Sequence, residues 1–208
     1  MTLTGGYTWG PGNNGNAVHL DGRTAYGMAD GPAVDSSNSF TVSAWAKLDD
    51  LAGYYAVATQ HGTNQDAFQL RYSPDVNRWI FGLTSADDNT RDNYTWAMGP
   101  QVQQAGQWTL VTGVFDRPSM QIKLYVNGRL QNTQSVATAW NAVGKFSIGS
   151  MNGRTAFFKG SVDQVQVWAE SLTDDQVAAL TTARYYDGIT QAQGAASGGV
   201  SLGTETDP

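Results

Sequence analysis

The run GQWTLVTGVFDRPSMQIKLYVNGRL, Gly106 to Leu130, decides the fold of this chain. Its first part, Trp108 to Asp116, is apolar on both faces: Trp108, Leu110 and Val114 alternate with Val111 and Phe115, as in a strand lying inside a sheet. Its second part, Met120 to Val126, turns Ile122, Leu124 and Val126 one way and Lys123 and Tyr125 the other, the alternation of a half-buried strand. Asn127-Gly128 then closes a two-residue hairpin onto Arg129 to Gln134, because both central positions of such a turn favour positive φ.

The same period-two pattern extends in both directions. Upstream, FTVSAWAKL at Phe40 to Leu48 puts Phe40, Val42, Ala44, Ala46 and Leu48 on one face and Trp45 on the other. Ala17 to Leu20, Tyr54 to Gln60, Ala67 to Tyr72, Arg78 to Thr84 and Asn93 to Met98 are further predicted strands, separated by polar turn residues. Downstream, Phe146 to Ser150 and Lys159 to Glu170 complete the set. Only Thr173 to about Thr182 is predicted helical: Thr173 can cap, Asp174 and Asp175 suit the positive end of the helix dipole, and Val177 with Leu180 forms an i, i+3 apolar pair.

About a dozen short strands without β-α alternation predict an all-β, antiparallel two-sheet sandwich with one short C-terminal helix. Residues 1–15, rich in Gly, Thr and Asn, are expected to be a lead-in segment, 16–187 the domain, and 188–208 a flexible linker or tail. Six net negative charges and a pI near 4.6 leave no basic footprint for nucleic acid or anionic membrane. No apolar run approaches the roughly 20 residues of a membrane helix. The absence of cysteine rules out disulfides and thiolate metal sites without fixing a compartment.

Three stretches resemble the laminin-G-like jelly-roll domains of the concanavalin-like superfamily. They are FTVSAWAKL at Phe40, the Gly106 to Leu130 run, and FSIGSMNGRTAFFKGSVDQVQVWAESLTDDQVAAL from Phe146. With Leu20-Asp21-Gly22 they cover roughly residues 16 to 182 in the family's order. The resemblance implies a secreted or cell-surface binding module, part of a larger chain, that takes a glycan or an extracellular protein. It also implies a calcium ion at one rim of the sandwich, with Asp21 and Asp163 at the acidic positions, acting as a structural clamp on the N-terminal segment. Gln164 stands where the family usually has a second acidic residue, so such a site would lean on carbonyls and waters.

Asp163 also stands out by pattern. Strict alternation from Ser161 puts it on the apolar face with Val165 and Val167, and a carboxylate there costs several kcal/mol unless compensated. Calcium is one compensation; backbone amides of a neighbouring loop, or an Arg such as Arg23 or Arg154, are the others.

Catalysis finds little support. A retaining glycosidase needs two carboxyl groups about 5 to 5.5 Å apart. The only glutamates are Glu170, at a strand end, and Glu205, in the tail, while Asp88 and Asp92 sit in a loop-like stretch expected to be solvated. His19 and His61 read as packed or exposed residues, and HExxH does not occur. Asn93-Tyr94-Thr95 matches a glycosylation sequon by pattern alone.

Binding remains. Sugar rings stack on aromatic faces while their hydroxyls meet polar groups, and Tyr54, Tyr55, Trp79, Trp96 and Trp140 lie near polar loops. The competing reading of each is inter-sheet packing, which is also the place expected for Trp45, Trp108 and Trp168. Carbohydrate recognition is therefore the first functional expectation, and a protein-protein adhesion or spacer role the second.

Overall fold

The computed structural model describes residues 1–88, 93–102 and 104–182; Asp92, Glu205 and the linker expected over 188–208 lie outside the described residues. Among the described residues, fourteen strands and one helix follow in chain order. They are β1 (Thr2–Thr4), β2 (Tyr7–Pro11), β3 (Asn16–Asp21), β4 (Tyr26–Met28), β5 (Phe40–Leu48), β6 (Tyr55–His61), β7 (Asp66–Ser73), β8 (Arg78–Thr84), β9 (Tyr94–Gln101), β10 (Thr109–Asp116), β11 (Gln121–Val126), β12 (Arg129–Ser135), β13 (Phe146–Ile148), β14 (Lys159–Trp168) and α1 (Asp174–Ala179).

All pairings are antiparallel, and the strands form two seven-stranded sheets. The first runs β1-β4-β13-β6-β7-β8-β9 and the second β12-β11-β10-β5-β14-β3-β2. The fold is the expected concanavalin-like sandwich. The lead-in segment is corrected: β1 joins an edge of the first sheet and β2 an edge of the second, so residues 1–15 are built into both layers.

Between the sheets lies one continuous core. Phe40 and Phe115 on the second sheet meet Phe68 and Phe81 on the first, with the Phe40 ring 4.7 Å from Phe68, 6.1 Å from Phe81 and 5.9 Å from Phe115. Gly113, beside Phe115 on β10, makes the fit possible: a Cβ there would lie 2.4 Å from the Phe81 ring. A second, smaller apolar cluster sits on the outer face of the second sheet, where Val114 and Tyr125 are covered by Leu172 and Val177. Helix α1 is held there by its Thr173 capping box with Gln176 and by Tyr125 Oη, which donates to Asp174 at 2.7 Å. One face of the sandwich is thus partly roofed by a helix.

The last strand departs from strict alternation. Asp163 pairs with Trp45 and Gln166 with Ser43, so β14 spends one residue more than β5 across this interval, and Gln164 takes φ +48°. The bulge switches the inward set from Val162 before it to Val165 and Val167 after it. Asp163 therefore shares the outer face with Trp45 and does not sit on the apolar face, correcting the expectation from alternation. Trp45, Trp108 and Trp168, expected in the core, are likewise only half-buried. Trp108 carries Lys47 at 5.1 Å from its ring centre, and Trp168 packs against the small cluster under α1.

Gly113→Ala should destabilise the protein by about 1–3 kcal/mol through overpacking against Phe81. Urea unfolding checks this, and an unchanged midpoint would mean that the Phe81 ring moves aside freely.

Candidate functional site

With the second sheet partly roofed, the outer face of the first sheet is where candidate binding side chains gather. On β7 the pleat sends Phe68, Leu70 and Tyr72 inward, so Gln69 and Arg71 point out. On β8 it sends Trp79, Phe81 and Leu83 inward, so Gly82 and Thr84 face out. On β9 Tyr94 pairs with Thr84, Trp96 with Gly82 and Met98 with Ile80, placing these three β9 side chains on the same outer face.

These groups are held in fixed positions. Trp96 lies flat over Gly82, where a Cβ would come within 2.3 Å of its ring, and Tyr94 stacks on it at 4.7 Å with the planes 19° apart. The Tyr94 hydroxyl donates to the Asp66 carbonyl at 3.0 Å and accepts from Gln69 Nε2 at 2.8 Å. Gln69 also donates to the Asp66 carboxylate at 3.0 Å. Burial, followed by the charge of Asp66, pushes the Tyr94 hydroxyl well above the ordinary phenol range, so it stays a donor.

Beyond Trp96 comes Arg71. Its guanidinium lies 4.8 Å from the Trp96 ring centre and 5.2 Å from that of Tyr54, within cation–π range of both. Tyr54 is 41% exposed and is tied down by a hydrogen bond from its hydroxyl to Asp75. Burial lowers the Arg71 pKa, yet a guanidinium remains a cation at any working pH.

At another part of the face, the segment after β13 crosses over β6: Thr59 donates to the Ser150 carbonyl at 3.2 Å, and Met151 bridges to Thr155. Between that segment and the 61–66 turn lies a cavity of about 200 Å³, bordered by His61, Asn64, Asp66, Asn152 and Arg154 among others. His61 is buried, bonded through Nδ1 to Asp66, and its Nε2 has no partner. Among the described residues no hydroxyl donates to that nitrogen. His19, by contrast, is at the surface and meets Asp49 at 2.9 Å.

Of the five aromatic residues predicted to bind ligand, the structure brings Tyr54 and Trp96 together around Arg71. Tyr55 and Trp79 are corrected: at 7% and 3% exposure they line the inter-sheet core, stacked or edge-on against Tyr72. Trp140 is half-buried at the 61–66 end, lying against Gly62 and donating from Nε1 to Thr84 Oγ1 at 3.0 Å. Arg71 escaped the sequence reading, although its place between the inward Leu70 and Tyr72 was a usable signal for an outward cation.

The two carboxylates expected to share calcium are not brought together. Lys159 pairs with Asp21 and Val162 with Val18, so Asp163 falls four residues along from Asp21, about 13 Å at strand spacing. Calcium ligands converge at about 2.3–2.6 Å from the ion, so at this separation one ion does not take both carboxylates. Each carboxylate is instead filled by amide donors. Asp21 accepts from the backbone of Arg23 at 2.8 Å, Thr24 at 2.8 Å and Ala25 at 2.9 Å, and from the Thr24 hydroxyl at 2.6 Å. Burial works against its charge, but these donors win and hold the carboxyl well below its usual range.

Asp163, only 5% exposed, accepts through one oxygen from Asn13 N at 2.9 Å and Asn14 N at 3.2 Å. The β2–β3 turn folds over it so closely that a Cβ on Gly12 would lie 2.6 Å from that oxygen. The N-terminal clamp exists, then, as carboxylate-to-amide hydrogen bonds. For Asp163 burial outweighs the amides and raises the carboxyl pKa.

A family model described as Laminin_G_3, concanavalin A-like lectin/glucanases superfamily, matches residues 21–178. A botulinum neurotoxin type G receptor binding domain superposes with TM-score 0.65 at 12% identity, over 87% of this chain and 45% of its own. The chain thus spans less than half the length of that toxin domain. A SAP-like pentraxin from Limulus polyphemus gives 0.62 at 18% identity, covering 79% of this chain and 81% of its own. Domain 4 of AbnA, a GH43 extracellular arabinanase from Geobacillus stearothermophilus solved in complex with arabinotriose, gives 0.59 at 23% identity over 85% and 82%. At these identities the likeness is one of fold. No curated protein sequence matches the chain.

Asp163→Ala should lower the unfolding free energy by about 1–3 kcal/mol by orphaning the Asn13 and Asn14 amides, and more than Asp88→Ala does. Because the folded-state pKa of Asp163 is raised, the native state holds its proton more tightly than the unfolded chain. Its contribution is greatest below the ordinary value of 3.8 and is lost as pH rises through the raised one. Asp163→Asn should therefore gain on the wild type from pH 4 upward; a stability difference that is flat with pH would contradict the assignment. Thermal melts in calcium and in chelator should coincide if these amide hydrogen bonds alone hold the segment, and a higher melt in calcium would show an ion added to them.

Proposed function

Because the chain belongs to the Laminin_G_3 family of the concanavalin A-like superfamily, we propose that it is a binding module of an extracellular protein and that it recognises carbohydrate on the outer face of the β1-β4-β13-β6-β7-β8-β9 sheet. The observation that carries this reading is the group Tyr54, Arg71 and Trp96: two aromatic rings within cation–π distance of one guanidinium, on a sheet face that also carries Gln69, Tyr94 and Met98. Aromatic rings offer stacking surface to the apolar face of a sugar, while the guanidinium offers donors to its oxygens. The arabinanase domain, of the same fold, was solved with an oligosaccharide, and this supports the class of ligand without locating it.

Rigidity favours the same reading. Trp96 is fixed from below by Gly82 and from the side by Tyr94, so little side-chain entropy remains to be lost when a ring stacks on it. No catalytic step is assigned to the module. Protein adhesion is the competing use of this face, and it draws on Met98, which is 39% exposed beside Trp96.

A broad glycan array separates the two. The wild type should bind a defined set of saccharides, and Trp96→Ala and Tyr54→Ala should each weaken that binding about tenfold or more, in line with roughly 1–3 kcal/mol per stacking aromatic as measured for nucleic-acid bases. Both variants should melt within a few degrees of the wild type. Silence across the array would overturn the carbohydrate reading in favour of adhesion.

A further inference from the structure

Arg71 differs from several cations of the described residues, which have polar partners. Lys159 is paired with Asp50 at 2.7 Å, Lys123 with Asp174 at 3.8 Å, and Arg78 donates to the Gly99 carbonyl at 2.6 Å. Arg71 lies on an interior strand of the first sheet, between Ala56 of β6 and Ile80 of β8. Among the described residues no carboxylate reaches ion-pair distance of it and no acceptor takes a hydrogen bond from it. Its Nε is buried without a partner.

The nearby carboxylates are committed elsewhere. Asp75 accepts from the Tyr54 hydroxyl, and Asp66 is held by His61 and Gln69. The Tyr54 and Trp96 rings, both within cation–π distance, stabilise the positive charge, but they offer no oxygen acceptor to its N–H donors. What is left is a planar fork of donors at a polar outer face, the geometry that suits a two-oxygen anion.

Resting on the carbohydrate reading above, we propose that the ligand is an acidic saccharide, and that its carboxylate or sulfate is received by the Arg71 guanidinium between Tyr54 and Trp96. The whole-protein charge of -6 works against unselective anion binding, so a preference for acidic glycans has to come from this local cation. Arg71 is then the specificity-determining residue, and the two rings supply affinity shared by acidic and neutral sugars.

The experiment uses an array of matched pairs: uronate-containing, sialylated and sulfated oligosaccharides, each beside its neutral parent, with the strongest pair carried into calorimetry. The full chain should prefer the acidic member about tenfold or more, and the preference should shrink as salt is raised. Arg71→Gln should bring the acidic member down to the affinity of the neutral one while leaving the neutral one nearly unchanged. Arg71→Lys should keep part of the preference, and Trp96→Ala should weaken both members. Arg71→Gln should also melt within a few degrees of the wild type, since the cation–π contacts it loses are offset by relief of a partly buried charge that has no carboxylate partner.

Equal affinity of the wild type for the members of every bound pair would overturn this proposal and leave the carbohydrate reading standing. A large drop in the melting temperature of Arg71→Gln would also overturn it, by making Arg71 a structural cation. Failure to bind any member of any pair would overturn both. The uronate, sialylated and sulfated arms tell carboxylate from sulfate.

Discussion

The packing of Phe40 against Phe68, Phe81 and Phe115 is the contact on which the rest of the molecule depends. Each buried phenylalanine contributes roughly 1.5–3 kcal/mol, and more when its loss would leave a cavity. The consequence for function is geometric. A strand has only two faces, so once Phe68 and Phe81 are fixed inward, Gln69, Arg71 and Gly82 are fixed outward, and the outer face inherits the precision of the core. Gly113 and Gly82 play matching parts, the first admitting the Phe81 ring inside and the second admitting the Trp96 ring outside.

Where the pleat is interrupted, the interruption has a use. The one-residue bulge at Gln164 reverses the facing of β14 and turns Asp163 out to a place where the β2–β3 turn can cover it. Without the bulge the carboxylate would face the apolar core without donors, at a cost of several kcal/mol. With it, one oxygen gathers the Asn13 and Asn14 amides and pins β2 to the sheet edge. A positive φ at Gln164 is the accompanying strain, of about 1–3 kcal/mol at most, and it is sustained because pairing with β5 holds the strand on both sides of the bulge.

Residue parity explains what was legible in the sequence. The long strands, Phe40–Leu48 and Arg78–Thr84 among them, match their expected bounds because alternation over seven or more residues is a strong signal. Strands β1, β2 and β4 were missed; they are short, partly glycine-rich, and defined by partners distant in sequence, which period-two reading cannot see. Trp79 could have been placed inside from the sequence, since it shares parity with Phe81 and Leu83. Tyr54 and Tyr55 are adjacent and so must point apart, yet a bulge between Ala56 and Ala58 obscures which one faces in. For Asp163 a single inserted residue defeated the alternation while the conclusion that it needs donors survived.

Arg71 is where the economy of the fold meets its chemistry. A cation on an interior strand of a sheet is costly to desolvate, and in most structures the cost is met by a neighbouring carboxylate. Here the adjacent carboxylates are bound to a tyrosine, a histidine and a glutamine, and the guanidinium is flanked by aromatic rings that stabilise charge without saturating its donors. A carboxylate moved into contact would stabilise the fold and close the site. Holding Asp66 and Asp75 out of reach leaves the donors without an acceptor among the described residues, so the same hydrogen bonds that position Tyr54 and Tyr94 also preserve Arg71 for a partner from outside the chain.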